Sequence, residues 1–92
     1  MDFEWNEQKN KINILKHGID FADIQEIFSS PILIKSDNRH DYHEKRWIGL
    51  GSLKDIIVVF VFTKRDKNLR VISIRKANKK ERKIYNEAIE SN

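Results

Sequence analysis

Ile56-Ile57-Val58-Val59-Phe60-Val61-Phe62-Thr63-Lys64 and Leu69-Arg70-Val71-Ile72-Ser73-Ile74-Arg75-Lys76 are two β-branched and aromatic runs, separated by a turn around Asp66-Lys67-Asn68. Such runs on either side of a short polar turn read as an antiparallel hairpin. Pairing Lys64 with Arg70 sets Phe62 opposite Ile72 and Phe60 opposite Ile74, which makes one face bulky and apolar. That face is expected to take the helices, with Arg70 at its rim or in a structural role. The other face carries Val59, Val61, Thr63, Val71, Ser73 and Arg75, with Arg65 near the turn. It is smaller and partly polar, and it is where a site is expected. A slip of one residue would exchange the faces.

Working outward, Lys54-Asp55 forms a second hairpin turn after a strand over Arg46 to Ser52, and Ile32 to Ser36 makes a further strand. Asn38 to Glu44 is a polar connection between them. Upstream, Asn6 caps a helix that runs to about His17, with Gly18 at the position that ends it. His17 there suits the negative end of the helix dipole. Asp20 caps a second helix whose Phe21, Ile24, Ile27 and Phe28 share a face, and Pro31 stops it. Phe3 and Trp5 alternate with Glu4 as in a short edge strand, Trp5 belonging to the core. Downstream, Asn78 and Glu81 have capping-box spacing before a last helix with Ile84, Tyr85, Ala88 and Ile89 along one stripe. The expected order is β-α-α-β-β-β-β-α: a compact α+β domain over residues 1–92, its antiparallel sheet flanked in sequence by helices.

The totals narrow the function. Apolar residues make up 39% of the 92 residues, enough for one modest core and too short a chain for two ordinary domains. There is no cysteine, which excludes disulfides and thiolate chemistry. No leader is visible at Met1-Asp2-Phe3-Glu4, and the longest apolar run, Ile56 to Phe62, is too short to span a bilayer, so a cytoplasmic protein without a membrane is expected. Charge is uneven. Lys64 to Lys83 holds ten Lys or Arg against Asp66 and Glu81, whereas residues 1–63 hold eight bases and ten acids. A basic segment of this density points to a polyanion or an acidic partner; the alternative is a solvated surface.

Four pieces of the chain resemble the BrnT toxins, which are similar in fold to RelE-type ribonucleases. They are Phe3-Glu4-Trp5-Asn6 with Lys9-Asn10; Lys16-His17-Gly18-Ile19 with Phe21, Phe28 and Pro31; Asp37 to Trp47 (DNRHDYHEKRW) with Ile48-Gly49-Leu50-Gly51; and Phe62 to Arg65 through Arg70 to Ala77, then Glu81, Arg82 and Tyr85. Ile74 stands where a small residue is common, and Asp20 where a hydroxyl residue is common. The resemblance implies a RelE-like fold, metal-independent endoribonuclease activity that inhibits translation, and neutralisation by a BrnA-type antitoxin. Operator DNA would be bound only through that antitoxin, in a hetero-oligomer.

Metal-free RNA cleavage uses the 2′-hydroxyl as nucleophile on the adjacent phosphorus. It needs a group to take that proton, cations for the phosphorane, and a proton for the leaving 5′-oxygen. Arg65 and Arg75 suit the cationic task, since a guanidinium bonds two phosphate oxygens at once. His40 and Glu44, in the crowded connection with Asp41 and His43, are acid–base candidates; a polar loop without a role is the alternative. Arg46, Thr63, Ser73 and Lys76 are candidate RNA contacts, although Lys76 alternates to the face opposite Arg75. Trp47 could stack a base, fill a core corner or meet the antitoxin, and Tyr85 could touch substrate or belong to the core. No cofactor is implied, and no metal site: the histidine spacing fits no common zinc pattern. Two rival readings stand beside the ribonuclease. A non-catalytic nucleic-acid-binding module would need no acid–base group, and an interaction domain would bind an acidic protein.

Overall fold

The structure, a computed structural model, describes residues 2–39 and 43–91. Strand β1 (Asp2–Glu4) leads into helix α1 (Glu7–His17). A 3-10 turn (Phe21–Asp23) and the short helix α2 (Ile24–Phe28) follow. Then come β2 (Leu33–Ser36), β3 (Arg46–Leu53), β4 (Ile56–Arg65), β5 (Asn68–Lys76) and helix α3 (Lys79–Glu90). The five strands form one sheet in the order β1-β5-β4-β3-β2. β2 to β5 are antiparallel neighbours, whereas β1 runs parallel to β5, pairing Phe3 with Leu69 and Glu4 with Arg70, so the sheet is mixed. Among the described residues no helix is long and apolar enough to cross a membrane.

The local signals act as their chemistry requires. Asn6 accepts from the Lys9 amide, and Gly18 closes α1 at φ 72°, its amide donating to Ile14. Asn78 and Glu81 form a reciprocal capping box at the start of α3. Lys54 and Asp55 both take positive φ, as a two-residue turn matched to strand twist demands. Asp20 caps the 3-10 turn through the Ala22 amide.

The central hairpin corrects the expected register. Phe60 does oppose Ile74 and Val61 opposes Ser73, but toward the turn Phe62 opposes Val71, Thr63 opposes Arg70 and Arg65 opposes Asn68. The loop is two residues long, so pairing near it is displaced by one, and a bulge at Ile72 absorbs the extra residue. The consequence is chemical. Val71 joins the apolar face and Arg70 moves to the polar one, where it bonds Glu4 at 2.8 Å.

The apolar face packs Val58, Phe60, Phe62, Leu69, Val71 and Ile74 against Phe21, Ile24 and Ile27. Gly49 and Gly51 in β3 make room: a Cβ at Gly49 would lie 2.3 Å from the Phe60 ring, and one at Gly51 2.8 Å from Ile27. The helices do not all lie on this face. α1 sits along the part of β5 beyond β1, where the buried Asn13 amide replaces a neighbouring strand. Its nitrogen donates to the Ile74 and Ile19 carbonyls, and its oxygen accepts from the Ile74 amide. Asn10 accepts from the Phe21 amide and donates to Asp20. α3 packs on the opposite sheet face, over β3, with Ile84 near Leu50 and Val59. The buried Tyr85 donates its hydroxyl to the Pro31 carbonyl, which ties α3 to the entry of β2.

Candidate active site

The polar face of the sheet gathers most of the residues expected to act on RNA, in two separate corners. Alternation from the observed register puts Arg46, Thr63 and Arg65 on this face, with Arg70, Ser73 and Arg75 from β5. Arg75 lies opposite Val59, six residues from Arg65 along β4, which places the two roughly 20 Å apart along the strand. One phosphate cannot be held by both from those positions.

The first corner is built on Arg75. Its Nη1 and Nη2 donate to the two Glu81 carboxylate oxygens at 2.8 and 2.9 Å, and Nη1 also donates to the Lys76 carbonyl. Glu81 is at the same time the capping residue of α3, accepting from the Asn78 amide at 2.8 Å. The helix start and the arginine fork are thus fixed by one carboxylate. The Arg75 hydrogen bonds hold the Glu81 carboxyl below its ordinary range, against the opposing effect of burial. The same bonds raise the Arg75 pKa, against desolvation and the repulsion of Arg39. The corner opens into a cleft of about 570 Å³ lined by Lys35, Asp37, Arg39, Ile48, Arg75 and Glu81, among others. Asp37 extends the β2–β3 ladder, its backbone N–H donating a hydrogen bond to the Arg46 carbonyl. Its carboxylate accepts from Arg39 Nε at 2.7 Å and Nη2 at 2.9 Å.

The second corner is looser. Glu44 accepts from Arg46 Nη2 at 3.3 Å and lies 3.7 Å from Arg65 Nη2. Nearby, Thr63 is buried and donates its hydroxyl to the Lys45 carbonyl, so it positions the backbone where β3 begins.

The remaining expected residues fall elsewhere. His40 lies outside the described residues. Trp47 is on the apolar face, stacked on Phe62 at 5.8 Å between ring centroids, with the Lys45 and Lys64 ammonium groups over it at 5.4 and 5.2 Å. Trp47 pairs with Phe62 and is partly buried against the core. Lys76 is exposed and alternates away from Arg75, and Tyr85 is packed as described above. Ser73 keeps its place on the polar face opposite Val61 and also borders a depression under α1 with Lys9, Lys16 and His17. Burial, Lys16 and Arg75 lower the His17 pKa. Arg39 and Asp37 were not singled out from sequence. Their local signal is an acid two residues before an arginine at a strand end, which is too common to stand out.

No curated protein matches the chain. A family model described as the ribonuclease toxin BrnT of type II toxin–antitoxin systems matches residues 5–81, from Trp5 beside β1 to Glu81 in the first corner. The match spans most of the sequence that carried the resemblance, leaving out Phe3, Glu4, Arg82 and Tyr85, and takes in the whole sheet beyond β1 and both arginine corners. The chain therefore belongs to the BrnT family, the ribonuclease toxins of type II toxin–antitoxin systems.

Proposed function

We propose that this chain is one toxin domain that cuts RNA in the cytoplasm without a metal ion, arrests translation by doing so, and is neutralised by a BrnA-type antitoxin. The antitoxin would hold it in a hetero-oligomer and carry the complex to operator DNA. The observation that supports this best is the Arg75 corner. A guanidinium oriented in advance by a bidentate carboxylate, and facing a cleft, offers donors to phosphorane charge with little reorganisation during reaction. In this reading Arg75 stabilises the phosphorane formed when the 2′-oxygen attacks phosphorus. The 5′-oxygen then leaves with a proton, so the 3′-side fragment begins with a 5′-hydroxyl and the 5′-side fragment ends in a 2′,3′-cyclic phosphate. Arg65 and Arg46 hold phosphates farther along the strand. His40 is the acid–base candidate, whereas Glu44, paired with Arg46 and Arg65, stands with the phosphate contacts of the second corner, too far from Arg75 to serve the same phosphorane. Ser73 and Thr63 shape the face between the corners.

Induced expression in bacteria, alone and with the gene of a small DNA-binding protein encoded beside it, tests the reading. Arrest of growth and protein synthesis by the chain alone, with relief by the neighbour, is the expected result. The purified complex should leave RNA intact, because the antitoxin covers the arginine face. A complex that cuts RNA as fast as the free chain contradicts that arrangement.

A further inference from the structure

In the cleft beside Arg75, each ion pair presents its cation outward. The Asp37 side chain is 1% exposed and its partner Arg39 57%; Glu81 is 21% exposed and Arg75 36%. In two other pairs on the sheet the order reverses, Arg46 being less exposed than Glu44 and Arg70 less than Glu4, while the longer Arg65–Glu44 contact also has its cation outward. A ligand entering the cleft therefore meets two guanidiniums with their carboxylates behind them, and Lys35 on the wall. Burying a carboxylate is costly unless it is fully paired. Asp37 meets that cost by accepting from the Arg39 amide, Nε and Nη2. This grips one edge of the guanidinium and fixes its plane. Arg39 is also close enough for its charge to be felt by both Arg75 and Glu81.

We propose that Arg39 is a second phosphate-binding residue of this cleft, oriented by Asp37 so that Arg39 and Arg75 hold neighbouring phosphates of one RNA strand. The assignment rests on the reading of the Arg75 cleft as the RNA site. Arg39 contacts substrate; Asp37 is a positioning residue. A phosphate contact contributes to binding and to its salt dependence and leaves the chemical step nearly untouched.

The test is the affinity for a single-stranded oligonucleotide lacking 2′-hydroxyls, measured across sodium chloride concentrations, together with steady-state cleavage of RNA. The variant is the double substitution Asp37→Asn/Arg39→Met, which leaves the net charge of the chain unchanged and orphans no buried charge. We expect the slope of log affinity against log salt to become shallower by about 0.7, the value of one phosphate contact on a single strand. KM should rise about tenfold with kcat within about twofold. Wild-type slope and KM in the folded variant overturn the proposal. A second measurement needs no variant: in the wild-type chain, the Arg39 Nε–H resonance should shift with that of Arg75 as the oligonucleotide is added. A shift at Arg75 alone overturns the role of Arg39 and leaves the site standing. If the wild-type chain neither binds the oligonucleotide nor cuts RNA, the reading of the cleft falls, and the role of Arg39 with it.

Discussion

Arg75 and Arg65 occupy the same face of one hairpin and are held in different ways. Arg75 is 36% exposed and locked by two bonds at 2.8 and 2.9 Å to a carboxylate that also caps a helix. Arg65 is 52% exposed, and its contact with Glu44 is 3.7 Å long. In the sequence the two look alike, as cations near the C-terminal ends of two strands joined by one turn. The difference comes from what stands across from each. Arg75 is followed by a helix start that can lend a fixed acid, while Arg65 sits beside a two-residue loop and meets Glu44 of the β2–β3 connection at long range. A cation whose orientation is set before the ligand arrives serves charge development in a transition state; a loose one serves attraction and binding.

The largest expected effect follows from that contrast. Arg75→Ala should lower kcat for RNA cleavage by about 10²–10³-fold, and Arg75→Lys should recover little of it, because an ammonium cannot reproduce the fork. Single-turnover rates check this, and a loss of less than tenfold would erase the distinction between the corners. Next comes the scaffold beneath both. Gly49→Ala puts a methyl group into the Phe60 ring, at a cost of about 1–3 kcal/mol in unfolding free energy. Denaturant titration should show that loss, while the Arg75 and Arg65 corners, on the opposite face, keep their relative contributions. Arg65→Ala is a smaller change. It should weaken RNA binding roughly fivefold with kcat unaltered, as binding isotherms and kinetics together would show; an equal fall in kcat would make the loose corner catalytic. Tyr85→Phe removes the hydroxyl bond to Pro31 and should cost about 1 kcal/mol of stability without changing either corner.

The pH response sharpens the contrast without any change at Arg65. Hydrogen bonds from Arg75 hold the folded Glu81 carboxyl below its ordinary value of 4.5. A carboxyl with a depressed folded pKa contributes stability that is full above the unfolded value and is lost as pH falls through the folded one. Glu4 and Asp20 are lowered in the same direction by their own hydrogen bonds. Thermal stability should therefore fall progressively below about pH 4.5, and Glu81→Gln should flatten that acid limb while lowering stability near neutrality. An acid limb identical in the variant would mean that the Arg75–Glu81 pair contributes nothing to the fold.

Much of the fold was legible because its signals are local. Asn6, Gly18, Asn78 with Glu81, and Lys54-Asp55 each act within four residues of where they stand. The pairing of Phe60 with Ile74 followed from apolar alternation. The bulge at Ile72 was not legible, because it depends on whether the Asp66-Lys67 loop spans two residues or more, and either choice leaves a plausible pattern near the turn. That single residue decided the face of Arg70. The placement of α3 on the polar face was hidden for a related reason: a stripe of Ile84, Tyr85 and Ile89 says that a helix packs, not on which side. α1 has its buried contacts made by Asn10 and Asn13, whose amides read in sequence as surface residues. Around the candidate site, the sheet face on which Arg75 lies was readable from alternation. The clamp by Glu81 and the buried Asp37 behind Arg39 depend on chain segments that meet only in the folded sheet.

The proposed reaction cuts RNA with this chain's own side chains alone, Arg75 stabilising the transition state. Incubating purified RNA with the purified chain in excess EDTA, wild type beside folded Arg75→Ala, tests it most directly. Cleavage by the wild type that persists in EDTA, ends in 2′,3′-cyclic phosphate and drops by two or more orders of magnitude in the variant is the predicted result. Cleavage that EDTA abolishes and an added divalent metal restores, or that the variant carries out at the wild-type rate, would contradict it.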